Sequence, residues 1–452
     1  MRRFDALAAL VVLALAVAIA AALVVGKPRA LNAVDFSPAA GAAEVALTTQ
    51  VIVTFNRPLH PAAPTGAIVL SPPVDGLVSV AGRRVAFTPR HRLRADTAYT
   101  VTVNGGIRDS GGRPLAGPAV STFRTRPLAV LGRARGRGLV RLNLAGDAVE
   151  QVGGTIGAFA VAPSGAIASI DLARHALVVR RPRSAALDLP LPEGLTVEAL
   201  EWTSEENALL FLGSRGGGSG SPFVVRLDAT TPSIRRLGDA DESVPLPGTL
   251  VTERLKRSLV EIVYGQDSYA VASGGAIVRG ATWDFALVDL DGRRRATLGP
   301  FLAVGDASPR GEGVLVVDVD AADPALRRVV FLYGRDGELR ALSAPGRDTH
   351  SPRFSHSGDE VVAAAAAVGD PPRRRRYGLT VIEVATAGGR VVTVPPDGWA
   401  DAEPRWSPDD AWLMFRRTRL DGTGPSEVWI VAAAGGEPRR LAADVDAARW
   451  IP

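Results

Sequence analysis

The chain has 452 residues, of which 46% are hydrophobic and 22% are charged, so it can bury a core and is not intrinsically disordered. Its length predicts more than one domain. Cysteine is absent, which excludes disulfides, thiolate metal sites and cysteine nucleophiles. Lys27 and Lys256 are the only lysines among 52 basic residues, so the pI of about 10.0 depends on arginine.

The N-terminus predicts a membrane-spanning helix. An uncharged apolar run extends from Ala6 to Val25 and follows Arg2 and Arg3. About 20 residues at ~1.5 Å each span the ~30 Å hydrocarbon core of a bilayer. Residues 1–29 are therefore interpreted as a single-pass signal anchor that leaves the rest of the chain outside the cytoplasm. A signal peptide cleaved near residues 18–20 is the alternative.

Residues 30–127 show the two-residue alternation of β-strands and no helical periodicity. Short β-branched and aromatic runs end at proline, asparagine or glycine turns, which predicts a β-sandwich. The runs are Val51–Phe55, Ala67–Leu70, Arg84–Thr88, Tyr99–Val103 and Ser121–Thr125. Asp109, shortly before Gly111, is interpreted as a turn residue that caps its own backbone and not as a ligand.

This region resembles a bacterial Ig-like domain of the S-layer protein type. The resemblance implies an extracytoplasmic spacer or adhesive module without an active site. It rests on turn residues as well as strands, namely Pro38, Gly41, Val51, Val53, Phe55, Asn56, Pro58, Phe87–Pro89, Leu93, Thr97–Val101, Ile107, Asp109, Gly111, Gly112, Phe123 and Thr125.

Residues 128–452 contain a repeated unit of about 40–50 residues. Pro352–Gly358 recurs as Pro404–Asp410, and Ala448–Trp450 begins the pattern once more. Each unit has an aromatic strand, a Ser-Pro-Asp-type turn, two more apolar strands, a Gly-Gly turn and a last strand. Four short strands per unit are typical of a β-propeller blade.

The units at 350–394 and 402–441 resemble TolB-like β-propellers, which carry a Ser-Pro-Asp-Gly turn and a closing Gly-Gly hairpin in each blade. The length of the region favours seven blades, with six as the alternative. Residues 446–452 are interpreted as a first strand that joins three strands in residues 128–152 and closes the ring. The predicted fold class is all-β, an Ig-like β-sandwich plus a β-propeller, with one N-terminal transmembrane helix.

No catalytic, cofactor or metal site is predicted, because the nucleophile-elbow, His-Glu-x-x-His, Walker and dinucleotide motifs are absent. His350 and His356 are interpreted as surface turn residues, not metal ligands. Asp318, Asp320 and Asp323 lack the glycine and terminal glutamate of a calcium loop.

Two sets of arginines are candidate binding residues. Arg373, Arg374, Arg375 and Arg376 form a run between two strands, which we interpret as a solvated loop or, alternatively, as a contact to anionic lipid or an acidic wall polymer.

Arg353, Arg405 and Arg449 each precede a blade aromatic. Strand alternation then turns the arginine toward the axial channel, which predicts an anion-binding patch. Pairing with acids such as Glu403 is the alternative.

These observations predict a non-enzymatic, membrane-anchored cell-envelope protein whose Ig-like domain spaces a propeller that binds a protein or a wall glycan. The alternatives are an enzyme that acts on an envelope glycan in the propeller channel and a sensor arm of a membrane regulator. A nucleic-acid partner is not expected, because the chain is exported and offers no reading helix or stacking platform.

Overall fold

The computed structural model covers two ranges, residues 11–18 and 30–452, with internal gaps. The gaps are residues 63–65, 135–137, 152–153, 183, 204–205, 216–220, 237–241, 250–257, 266–268, 272–276, 280–282, 289–293, 321–326, 335, 344–345, 368–374, 426 and 444. Within residues 242–300 the description is limited to the backbone of the strands.

A helix covers residues 11–18, and its side chains are exposed. The remainder of the apolar run predicted to span the membrane lies outside the described residues. Within the ranges given above, no helix is long and apolar enough to cross a bilayer.

The chain divides into two compact units, Met1–Arg90 with Thr97–Thr125, and His91–Asp96 with Arg126–Pro452. The first unit is a β-sandwich of two four-stranded sheets, in the orders β1-β3-β6-β5 and β2-β8-β7-β4. Its strands are β1 (Ala33–Ser37), β2 (Ala42–Val45), β3 (Val51–Phe55), β4 (Ile68–Ser71), β5 (Gly76–Ala81), β6 (Arg84–Pro89), β7 (Ala98–Val103) and β8 (Ala119–Thr125).

The alternation predicted for these strands is confirmed. In β3 every second side chain is buried, and in β7 and β8 the rings of Tyr99 and Phe123 stack inside the sandwich with centroids 5.5 Å apart. Asp109 is a turn residue, as predicted, because its Oδ1 accepts 2.9 Å hydrogen bonds from the backbone N–H groups of Gly111 and Arg113.

The second unit contains seven four-stranded sheets in the described part of the chain, as the favoured blade number predicted. The strands are β9 (Ala129–Ala134), β10 (Gly138–Asn143), β11 (Ala148–Gln151), β12 (Ile156–Val161), β13 (Ile167–Asp171), β14 (Ala176–Arg180), β15 (Leu187–Pro190), β16 (Leu195–Trp202), β17 (Ala208–Arg215), β18 (Ser221–Arg226), β19 (Ile234–Arg236), β20 (Glu242–Thr249), β21 (Ser258–Gly265), β22 (Tyr269–Val271), β23 (Ile277–Arg279), β24 (Trp283–Val288), β25 (Arg294–Phe301), β26 (Ala303–Ala307), β27 (Gly313–Val319), β28 (Arg328–Gly334), β29 (Leu339–Ala341), β30 (Arg347–Phe354), β31 (Glu360–Ala367), β32 (Gly378–Glu383), β33 (Gly389–Val391), β34 (Trp399–Trp406), β35 (Trp412–Arg419), β36 (Glu427–Ala432), β37 (Arg439–Ala442) and β38 (Val445–Ile451).

The seven sheets form a closed ring. Five sheets are consecutive meanders, and a sixth, β20-β21-β24-β25, is interrupted by the separate hairpin β22-β23. The remaining sheet has the order β11-β10-β9-β38, so the last strand completes the first blade as predicted. The first strands contact one another around an axis, from β12 through β16, β20, β26 and β30 to β34, and β38 closes the ring by contacting β36 of the seventh blade and β12 of the second. This arrangement is a seven-bladed β-propeller.

Neighbouring blades pack through apolar side chains that the sheets bury on both faces. One cluster joins the second and third blades through Leu177 and Leu209, and another joins the sixth and seventh through Leu379 and Leu413. All four leucines are fully buried, and each contributes about 1.5–3 kcal/mol by leaving water.

A buried ion pair also stabilises the seventh blade. Two guanidinium nitrogens of Arg417 donate to the carboxylate of Asp401 over 2.6 and 2.9 Å, and the Thr393 hydroxyl donates to the same carboxylate over 2.7 Å. The guanidinium also lies 4.3 Å from the ring of Trp429. The charges are therefore compensated although both side chains are buried.

We expect the Asp401→Ala substitution to lower the free energy of unfolding by about 3–5 kcal/mol, because Arg417 would remain buried without its counter-ion. The measurement is urea denaturation of the propeller transition.

The matched control is Asp397→Ala, which removes an ion pair with Arg376 at a side chain that is 95% exposed. Its expected cost is at most about 1 kcal/mol. Equal losses in the two variants would contradict the prediction.

Candidate functional site

One position recurs on the first strand of each blade, immediately before the aromatic residue or its replacement. We call this the ring position. In the described side chains its occupants are Ala160, Glu201, Asp306, Arg353, Arg405 and Arg449.

Hydrogen bonds between blades show that these residues are equivalent. The indole N–H of Trp406 donates to the Arg353 carbonyl over 3.1 Å, and that of Trp450 donates to the Arg405 carbonyl over 3.2 Å. Trp202 makes the same bond to the preceding ring position, Ala160, over 3.4 Å. Each tryptophan is buried and is hydrogen-bonded to the backbone of the preceding blade.

A β-bulge directs the two central arginines. The register shifts between His350 and Arg353 and between Ala402 and Arg405, and the bulged residues Ser351 and Glu403 have φ of 54° and 52°. A bulge bends the strand and turns the following side chain away from its regular direction.

Arg405 lies where three cavities meet. The first has a volume of about 380 Å³ and is also lined by Glu201, Asp306 and Arg449. The second, of about 510 Å³, is lined by Arg353 as well, and the third, of about 260 Å³, by Arg449. The ring-position arginines thus line these cavities.

The three arginines differ in their partners. Arg449 lies 3.6 Å from the Glu201 carboxylate and donates to the Ala448 carbonyl over 3.0 Å. Arg353 donates to the carbonyl of Gly305.

Glu403, offered by the sequence as a partner for these arginines, binds Arg416 over 2.8 Å instead. Within the ranges that the structure describes, the Arg405 guanidinium makes no hydrogen bond and no ion pair.

Burial lowers the pKa of Arg405 to about 9, and the charges of Arg449 and Arg353 lower it further while Glu201 and Glu403 partly oppose them. The guanidinium remains charged at neutral pH. An anion entering the cavity would relieve the repulsion among the three cations.

Asp306 is a member of the ring that sequence reasoning missed. Its carboxylate is buried and accepts backbone hydrogen bonds from Ala307 over 2.9 Å and from Phe354 over 3.1 Å. Burial raises its pKa to about 6, against the opposing charges of Arg353 and Arg405. The Ser308–Pro309 turn after it matches the turn that follows the ring position in other blades and could have identified Asp306. The match is weak because Ala307 stands where those blades have an aromatic residue.

The four-arginine run is not a uniform solvated loop. Arg375 is buried, and its guanidinium lies 2.6 Å from the Asp348 carboxylate, so the expectation of a solvated loop is wrong for this residue. Arg376 pairs with Asp397. Arg373 and Arg374 lie outside the described residues.

Asp348 explains why Arg375 turns inward. The carboxylate is buried and also accepts hydrogen bonds from Arg328 over 3.0 Å and from the Tyr377 hydroxyl over 2.5 Å. Burial opposes its ionisation, but the hydrogen bonds and charge of Arg328 and the hydroxyl of Tyr377 outweigh that and hold the pKa of Asp348 below its ordinary value.

The histidines and acids that the sequence offered as possible metal ligands do not form a common site among the described residues. His350 lies within β30 with its ring against Tyr377 and not in a surface turn, and burial lowers its pKa to about 4. His356 is exposed and binds Asp410 over 2.9 Å. Asp323 lies outside the described residues, among which no three His, Asp or Glu side chains are grouped to hold a metal.

Comparison with known proteins assigns the first unit. Residues 27–125 match the family model of the bacterial Ig-like domain, which confirms the Ig-like domain predicted from sequence. No curated protein matches the chain.

Solved structures with a similar fold are distant. TolB from Acinetobacter baumannii is 11% identical, with a TM-score of 0.40 over 85% of this chain and 83% of that one. Oligogalacturonate lyase from Vibrio parahaemolyticus is 11% identical, with a TM-score of 0.45 over 67% of this chain and 90% of that one. The β-propeller domain of the Trilobed protease from Pyrococcus furiosus is 10% identical, with a TM-score of 0.43 over 92% of this chain and 99% of that one. The propeller assignment follows from the strand topology and not from these likenesses.

The raised pKa of Asp306 predicts a pH-dependent stability. Below the unfolded pKa of 3.8 the carboxyl is protonated in both states and costs nothing. As pH rises toward 6, the unfolded state ionises first, so the folded state loses stability relative to it. Replacing Asp306 with Asn removes this penalty.

We expect the free energy of unfolding of Asp306→Asn, relative to the wild type, to rise by up to about 3 kcal/mol between pH 4 and pH 7. Urea denaturation across this range measures the difference. A difference that is constant with pH would contradict the assignment of Asp306.

Proposed function

We propose that the chain is a non-enzymatic binding protein of the bacterial cell envelope, whose propeller takes an anionic group of a protein or wall-polymer partner into its axial cavity. The observation that carries this proposal is the Arg405 guanidinium, which faces the cavity between two other arginines without a hydrogen bond or ion pair among the described residues. Residues elsewhere in the propeller show the contrast, since the buried Arg417 and Arg375 are both paired.

The chemistry of the guanidinium supports an anion as its partner. Its planar array of N–H donors matches a carboxylate, sulfate or phosphate, and charge-assisted hydrogen bonds of this kind are about twice as strong as neutral ones. Inside a cavity the attraction is screened less than on a surface. The cavity volume of about 380 Å³ falls within the range of about 300–1,000 Å³ usual for ligand sites.

The acids of the cavity support binding in preference to catalysis. Glu201 lies against Arg449, and Asp306 is held by two backbone N–H groups. Both carboxylates therefore compensate nearby charge or backbone donors. A hydrolase would need one of them beside a water or a bond to be cleaved.

The proposal places the propeller outside the cell membrane, held by the N-terminal helix and spaced by the Ig-like domain. The helix over residues 11–18 supports an apolar anchor, because Val12 and Leu13 are 68% and 65% exposed. The apolar sequence continues on both sides of this helix.

Arg405→Ala should weaken anion binding at least tenfold, because a hydrogen bond to a charged group is worth about 1.5–3 kcal/mol. Equilibrium dialysis with radiolabelled sulfate at constant ionic strength measures the affinity. Arg440→Ala is the matched control, since Arg440 is an exposed residue on β37 in the same blade. The proposal fails if the wild type binds no sulfate or if both variants lose it equally.

The double substitution Leu13→Arg with Leu15→Arg should release the chain from carbonate-washed membranes, because each arginine costs about 2.5–3.5 kcal/mol at the centre of a spanning helix. Leu339→Arg, at an exposed propeller position, should leave the chain in the membrane fraction. Recovery of the wild type in the soluble fraction, with an N-terminus after residue 20, would instead indicate a cleaved signal peptide.

A further inference from the structure

The cavity that contains Arg405, Glu201, Asp306 and Arg449 has apolar walls at the side where the first strands end. Pro163, Pro309 and Pro408 come from the same turn position of three blades and line it together. The indole rings behind them are buried and hydrogen-bonded to backbone, so they contribute little open surface for stacking. The lining thus combines the apolar surface of these prolines with charged side chains, including Arg92 beside Pro408.

We propose that this cavity receives the C-terminal end of an extended peptide, whose terminal carboxylate binds Arg405. This rests on the anion-binding function proposed above and narrows it to one class of partner.

The charge of the cavity indicates a single carboxylate. Three arginines are among the described residues that line the cavity. Arg449 already lies against Glu201 and Arg92 donates to the Pro408 carbonyl over 3.4 Å, whereas the Arg405 guanidinium has no hydrogen bond or ion pair among the described residues. A wall polymer with an acid on every repeat needs a row of free cations along an open groove. Here Glu201 and Asp306 line the same cavity as Arg405 and repel any additional carboxylate.

The same acids suit the rest of a peptide end. Next to its carboxylate, a peptide presents a backbone N–H group, and a carboxylate such as Glu201 can accept a hydrogen bond from it. The proline walls have no N–H donors of their own and offer apolar contact to the last side chains. Capture of a chain end also requires few residues to be ordered, which limits the entropic cost.

The test is capture from two synthetic libraries of N-acetylated hexapeptides with identical random sequences. One library ends in a free carboxylate and the other in an amide, and the bait is the wild-type chain. We expect peptides from the acid library to be enriched, and the best of them to lose at least tenfold in affinity when resynthesised as the amide.

Variants link this preference to the cavity. Arg405→Ala should abolish the difference in affinity between acid and amide peptides. Arg405→Lys should keep part of this difference, because lysine supplies a point charge without the planar fork of the guanidinium. Arg440→Ala should keep all of it.

Equal capture of acids and amides, or capture of neither, would overturn the peptide proposal even if sulfate still binds. Binding of a hexagalacturonate without any acid peptide would overturn it in favour of a wall polymer. If the wild-type chain binds neither acid peptides nor sulfate, the anion site proposed at Arg405 is itself wrong.

Discussion

The antiparallel pairing of β38 with β9 is the interaction on which the propeller depends. Arg449 lies opposite Leu131 in this pairing, so the last strand brings residues more than 300 positions apart into one sheet. The same strand contacts β12 and places Arg449 against Glu201 of the third blade. Closure therefore both removes the open edges of the ring and completes the charged cavity.

Charge compensation separates the structural arginines from the candidate binding residue. Arg417 and Arg375 are buried against Asp401 and Asp348, where removing either acid would leave an unpaired buried charge. Arg405 keeps its charge with no ion pair among the described residues, and burial, together with two neighbouring cations, lowers its pKa. Asp306 and Glu201 line the same cavity and offset part of the positive charge of Arg92, Arg405 and Arg449.

The sequence predicted the β-sandwich, the seven blades and the closing strand, because these follow from local alternation and from a repeated turn. It did not predict Asp306, since the fifth blade has Ala307 where other blades have an aromatic residue. Nor did it predict the inward turn of Arg375, because the buried Asp348 that attracts it is 27 residues away in sequence and lies on β30, whereas Arg375 precedes β32. Contacts of this kind depend on which side chains the tertiary packing brings together.

The most direct measurement is the position of a heavy anion in a crystal of the wild-type chain. Crystals soaked in sodium bromide should give an anomalous peak at hydrogen-bond distance from the Arg405 guanidinium, inside the cavity lined by Glu201 and Arg449. An occupied bromide elsewhere on the propeller, with no peak at Arg405, would contradict the claim that this residue is the anion-binding group of the axial cavity.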